Sequence, residues 1–216
     1  GKMRVAVNVS AIQFGDDRLP KIVEAALEAS GLPPERLELE ITEGVFLGGT
    51  AETDAMFAAL KALGVRLALD DFGTGYSSLS YLQTAPFDKI KIDQSFVRNA
   101  TEPGSRNAAI ISAIVALAGA LDMETTAEGI ETLDQLALIQ SLNVSHVQGF
   151  VYSRAVKDEE LHARIDAGDW IIVPSGPAKQ RNERLSMYRK VDAIHENHRY
   201  SVVMRNLSAS GALIDG

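Results

Sequence analysis

Six short apolar runs recur along this chain of 216 residues at intervals of roughly 20–35 residues, alternating with stretches of helical spacing. The apolar runs are 5–10, 37–43, 66–69, 88–93, 124–132 and 146–152. Helical patterns follow at 19–30, 51–63, 106–121, 133–142 and 158–166. Strand and helix in strict alternation specify an α/β chain with a parallel sheet. Polar residues recur near the carboxyl end of run after run: Asn8, Glu40, Asp70, Asp71, Lys91, Asp93, Glu128 and Gln148. An open doubly wound sheet gathers its ligand groups at a single switch point. Contributions from so many strands instead suit a closed barrel, whose site collects residues from all strand ends at one mouth. The expected fold is a (β/α)8 TIM-like barrel of which six units are visible. Its first strands would lie upstream of this chain, and its last elements would end near Val173.

The run from Asp70 to Ser78, DDFGTGYSS, is the densest local signal. Arg66-Leu67-Ala68-Leu69 before it reads as a buried strand, and Leu79 to Leu82 after it as the start of a helix. Two adjacent carboxylates therefore stand at a strand end, ahead of a glycine-punctuated loop. Neighbouring strand residues point to opposite faces, so Asp70 and Asp71 need not do the same work. The plainer alternative is turn chemistry capping the next helix. The recurrence of acids at the other strand ends argues against it.

Composition narrows the chemistry. The net charge is −8, and no dense basic stretch precedes the last forty residues, so the body of the chain offers no groove for a nucleic-acid backbone. No DNA partner is expected. Cysteine is absent, which removes disulfides and thiolate metal sites and fits a reducing cytosol. A cytoplasmic location is expected, with any membrane anchor upstream of this chain. Asn8, Glu40, Asp70, Asp71, Asp93 and Glu128 would converge as an all-oxygen set. Carboxylates crowded together raise one another's pKa unless a cation separates them. A hard divalent ion, Mg²⁺ or Mn²⁺, suits such ligands. Two such ions would clamp a water against a phosphate oxygen, and Lys91 could hold that water or neutralise the phosphate. Read from residues alone, the chemistry is metal-dependent hydrolysis of a phosphate ester. Solvated loop acids are the bland alternative, but polar residues inside apolar strands are costly without a task.

These motifs resemble, in order, those of the EAL family of cyclic di-GMP phosphodiesterases: Val7-Asn8-Val9-Ser10, Glu40-Ile41-Thr42-Glu43, Asp70 to Ser78, Lys91-Ile92-Asp93, Ala127 to Thr132 and Gln148-Gly149-Phe150. The resemblance covers roughly residues 4–165 and implies a barrel enzyme, usually dimeric, that opens cyclic di-GMP to linear pGpG with two Mg²⁺ or Mn²⁺ ions. Carried over by position, Asn8, Glu40 and Asp70 would hold one metal, and Asp71 and Asp93 the second. Lys91 would contact the catalytic water and Glu128 would be the general base. Glu131 and Gln148 would lie near the metals and the guanine-phosphate groups, and Glu43 would anchor the loop from Asp71 to Ser78. Two departures stand out. The namesake Glu-Ala-Leu motif is absent, so an upstream segment is expected, with a sensor or cyclase domain beyond it. Ala155 replaces the usual proline. The alternative to an enzyme is an inactive receptor that binds cyclic di-GMP and signals to a partner. Receptors tend to lose the acids and the lysine, all of which are present here.

The expected domain boundaries are a partial EAL domain over 1–168, a Pro- and Gly-punctuated linker over 169–178, and a partial second domain over 179–216. In that last stretch Asn206-Leu207-Ser208-Ala209-Ser210-Gly211 resembles a motif of PilZ domains, small β-barrels that bind cyclic di-GMP. The resemblance implies ligand contacts from Asn206, Ser208 and Gly211, together with Arg181 and Arg184. The family's arginine pair is degenerate here, because Leu185 stands four places after Arg181.

Overall fold

The computed structural model describes residues 3–48, 51–73, 82, 84–168, 172–178, 185–195, 198–208 and 211–215, which fall in two compact units, Gly1–Ala178 and Lys179–Gly216. The first unit holds six parallel strands hydrogen-bonded in sequence order: β1 (Val5–Val9), β2 (Leu37–Thr42), β3 (Arg66–Phe72), β4 (Lys89–Ile92), β5 (Glu124–Ala127) and β6 (His146–Val147). Between and after them lie α1 (Ala11–Phe14), α2 (Leu19–Ser30), α3 (Ala51–Ala62), α4 (Gln94–Arg98), α5 (Asn107–Ala120), α6 (Leu133–Ser141) and α7 (Asp158–Asp166).

Strand periodicity sorts the residues of each strand into two sets. Leu37, Leu39, Ile41, Leu67, Leu69, Ile90 and Ile92 join one contiguous apolar core with Val23, Leu27, Phe57, Leu60, Ile111 and Ile139 of the helices. The other face of the sheet carries charge. Glu38, Glu40, Asp70, Lys89 and Lys91 are all buried there. A barrel interior is ordinarily packed by branched aliphatic side chains. This one is packed by ion pairs.

Those pairs also show that the sheet is curled. Arg4, just ahead of β1, meets Glu124 at the start of β5 at 3.0 Å. In a flat sheet four strand spacings would separate β1 from β5 by about 19 Å. A direct contact across that interval requires the concave face of a part-barrel. Six of the eight strands expected for a complete barrel are present among the described residues.

Local signals explain where elements start and stop. Gly31 ends α2 in the left-handed conformation at φ 65°. Ser10 with Gln13, and Thr132 with Gln135, form reciprocal capping boxes at the starts of α1 and α6.

Three expectations are corrected. The run 146–152 is a strand only over His146–Val147, and the chain then turns. Gly149 lies directly on the backbone of Ile130, where a Cβ would come within 2.1 Å of the Ile130 carbonyl oxygen, so the segment folds over the preceding loop and cannot extend the sheet. Asp93 does not share the strand with Lys91. The strand ends at Ile92, and the Asp93 carboxylate accepts from the Ser95 N–H as the cap of α4. Finally, β3 does not stop before the paired aspartates but runs through them to Phe72, with an irregular register between Leu69 and Phe72.

The second unit contains an antiparallel sheet in the order β7 (Leu185–His195), β8 (His198–Ser208) and β9 (Gly211–Asp215).

Candidate active site

The irregularity in β3 is the device that assembles the site. Adjacent residues on a regular strand face opposite ways. Here Asp71 takes a left-handed backbone at φ 54°, a conformation Asp tolerates better than most residues, and its N–H donates to Asp70 Oδ1 at 3.1 Å. As a result Asp70 and Asp71 turn to the same side. One carboxylate oxygen from each, together with one from Glu128 at the end of β5, lies within 4.8 Å of the others.

Lys91 ties this trio to β2. Its ammonium lies 2.6 Å from Glu40 Oε2, 2.9 Å from Asp70 Oδ1 and 2.5 Å from Glu128 Oε1. Four separate segments thus meet at one buried cation. Burial works against the charge on Lys91, but the hydrogen bonds it donates to Glu128, Glu40 and Asp70 outweigh that and hold the ammonium protonated well above its ordinary range. The acids are under-neutralised by this one lysine. Burial pushes the Glu128 carboxyl up, Lys91 pulls it back, and the charges of Asp70 and Glu40 add to the rise. Asp71 is likewise raised, first by burial and then by Asp70 and Asp93. One ammonium facing this many carboxylates leaves excess negative charge in a partly buried mouth. All-oxygen donors from Asp70, Asp71 and Glu128 within 4.8 Å of one another, with the Asp71 and Glu128 carboxyls pushed up by burial and by neighbouring acids, fit a hard divalent cation.

The remaining sequence candidates fall in several places. Asn8 pairs with Glu40 in the β1–β2 register, on an exposed edge strand. Asp93 caps α4 and contributes its charge to Asp71. Glu43 accepts a 2.8 Å hydrogen bond from the Gly73 N–H, at the root of the loop that follows β3. Glu131 and Gln148 are exposed. The Gln148 carbonyl accepts from Ile130 N–H, which joins the turn after β6 to the loop carrying Glu128. Arg181, Arg184 and the loop from Thr74 to Tyr81 lie outside the described residues. Asn206 and Ser208 are on β8 and Gly211 opens β9, in the second unit.

One layer was not anticipated from sequence. Beneath the site, Lys89 pairs with Glu38 at 2.7 Å, Arg66 lies 3.6 Å from the other Glu38 oxygen, and Glu124 receives Arg66 at 2.8 Å and Arg4 at 3.0 Å. Glu38 and Glu40 were legible as sharing a face. Extending the same parity to Lys89, Lys91, Arg66 and Glu124 would have exposed the whole layer.

A part-barrel with an acidic, lysine-bridged mouth at the carboxyl ends of its strands defines a class, because that is where barrel enzymes act. The pattern of the EAL domain family matches residues 1–155, and the chain belongs to that family. It is 42% identical over 171 residues to the cyclic di-GMP phosphodiesterase NbdA of Pseudomonas aeruginosa, covering 77% of this chain and 22% of NbdA. Among solved structures it resembles the EAL domain of Mycobacterium smegmatis DcpA, with TM-score 0.73 and 34% identity over 79% of this chain and 75% of that one. It also resembles Klebsiella pneumoniae BlrP1 in complex with manganese and cyclic di-GMP, with TM-score 0.66 and 34% identity over 71% of this chain and 39% of BlrP1. The chain spans about a fifth of the length of the curated relatives it matches. No helix among the described residues is long and apolar enough to cross a membrane.

Proposed function

We propose that the first unit hydrolyses cyclic di-GMP to linear pGpG. The observation that carries this reading is the convergence of Glu40, Asp70 and Glu128 on Lys91, with Asp71 beside them, in a chain of the EAL family. Asn8, Glu40, Asp70, Asp71 and Asp93 would hold Mg²⁺ or Mn²⁺, two ions in all. When bound, such ions neutralise phosphate oxygens and lower the pKa of a water. Glu128 takes the proton from the attacking water. The water oxygen bonds to phosphorus, the P–O3′ ester bond breaks, and the departing 3′ oxygen gains a proton. Lys91 holds Glu40, Asp70 and Glu128 in register and keeps its own proton throughout. Glu131 and Gln148 would meet the guanine-phosphate groups, and Glu43 would steady the loop after β3.

The second unit is read as PilZ-like on its Asn206-Leu207-Ser208-Ala209-Ser210-Gly211 run, as a module that could sense the same dinucleotide. The test for the first unit is direct. The full chain is incubated with cyclic di-GMP and Mn²⁺, with pGpG followed by chromatography. Turnover that a chelator removes, and that Glu128→Gln abolishes while binding persists, is the expected result. Binding without turnover in the unsubstituted chain would overturn the reading in favour of a receptor.

A further inference from the structure

Residues 172–178 follow α7 beyond the family match and return to the site. The Ser175 N–H donates to the Val151 carbonyl at 2.8 Å. The Pro177 and Ala178 carbonyls accept from Leu133 and Asp134 N–H groups at 2.9 and 3.1 Å. Those two donors are the first turn of α6, groups that a helix cannot satisfy internally. The segment therefore straps down the end of the loop that begins at Glu128.

The packing leaves no slack. A Cβ on Gly176 would come 2.4 Å from the Glu131 carbonyl oxygen and 3.0 Å from a Val151 methyl carbon. On its other sides the same loop is equally confined. Gly129, at φ 65°, would place a Cβ 2.5 Å from Gln94, and Gly149 lies on the backbone of Ile130. Ile130 is fully buried between these supports, its N–H and carbonyl engaged by Gln148 and Val151. Three glycines thus allow three segments to close on five residues, 128–132, and one of those segments is the strap.

We infer that Ser175–Ala178 is a positioning element for Glu128, acting through the backbone of Glu131 and Leu133. It touches no metal-binding candidate. Its removal shifts Glu128 and leaves in place the residues assigned above to the metals, Asn8, Glu40, Asp70, Asp71 and Asp93. The catalytic consequence rests on the hydrolase reading above, but the mechanical one does not.

The test uses the full chain with Gly176→Val, which forces the strap off Glu131, and Ser175→Pro, which removes the N–H that bonds to Val151. Amide hydrogen exchange is followed by mass spectrometry, alongside Mn²⁺ affinity by calorimetry and steady-state kinetics with cyclic di-GMP. Exchange in 129–134 is expected to rise at least about tenfold with the sheet amides of β2 to β4 unchanged, since the lost bonds are local. Mn²⁺ affinity should stay within about twofold, and kcat should fall about tenfold while KM changes less, because base placement enters only the chemical step. Unchanged exchange in 129–134 overturns the inference. So does a uniform rise across the unit in both variants, or loss of Mn²⁺ binding in step with kcat. If the unsubstituted chain does not hydrolyse the dinucleotide, the hydrolase reading fails alone, and local exchange still decides the strap.

Discussion

Replacing Lys89 by methionine tests the claim that this barrel is packed by charge. Lys89 and Glu38 are 7% and 4% exposed, and their 2.7 Å contact spans from β4 to β2 across β3, where Ala68 pairs with Lys89 and Arg66 with Glu38. Lys89→Met keeps the length of the stem and removes the ammonium, stranding the Glu38 carboxylate. Breaking a buried pair from one side costs about 3–5 kcal/mol. Arg66, 3.6 Å from the second Glu38 oxygen, offsets part of that, which leaves about 2–3 kcal/mol. For a unit of this size the melting temperature should drop by about 5–10 °C. The double variant Glu38→Leu with Lys89→Met should recover most of the loss, since apolar replacement of both partners is often neutral or better. Differential scanning calorimetry at low and high salt reads both effects, and the drop should survive high salt because the pair is shielded from solvent. A Lys89→Met melting temperature equal to that of the unsubstituted chain, or a double variant no better than the single one, would refute the reasoning.

Other outcomes follow from the same structure. Burial works against the charge of Glu124, but the hydrogen bond from Arg4 and the charge of Arg66 hold its carboxyl below the usual range. Its contribution to stability is therefore complete above the ordinary glutamate value of about 4.3 and fades as pH falls through the lower folded value. Glu124→Gln should be less stable at neutral pH and show a flatter acid limb in a denaturation series, and parallel limbs would count against it. Thr132→Ala removes the side-chain cap of α6 and should cost about 1 kcal/mol in urea unfolding, with Thr132→Ser recovering most of it. Equal losses in the two variants would show that the methyl group, not the hydroxyl, matters.

Much of the first unit follows from patterns confined to single segments. Leu37 to Thr42 alternates because one face meets helices and the other meets charge, and that alternation is visible in the letters alone. Gly31 and Thr132 mark helix ends by chemistry that acts within a few residues. The choice of Asp70, Glu40, Lys91 and Glu128 as candidates likewise needed only their places at strand ends. What sequence periodicity could not supply was the direction of Asp71. Alternation sends it away from Asp70, and only the irregular pairing of β3 with β4, which allows a positive φ there, turns both carboxylates toward Glu128. Nor could it show that Gly176 closes on Glu131, forty-five positions earlier, or that Arg4 meets Glu124. Those contacts exist because the sheet curls and the chain returns across it, and curvature is a property of all six strands together, written in no one of them.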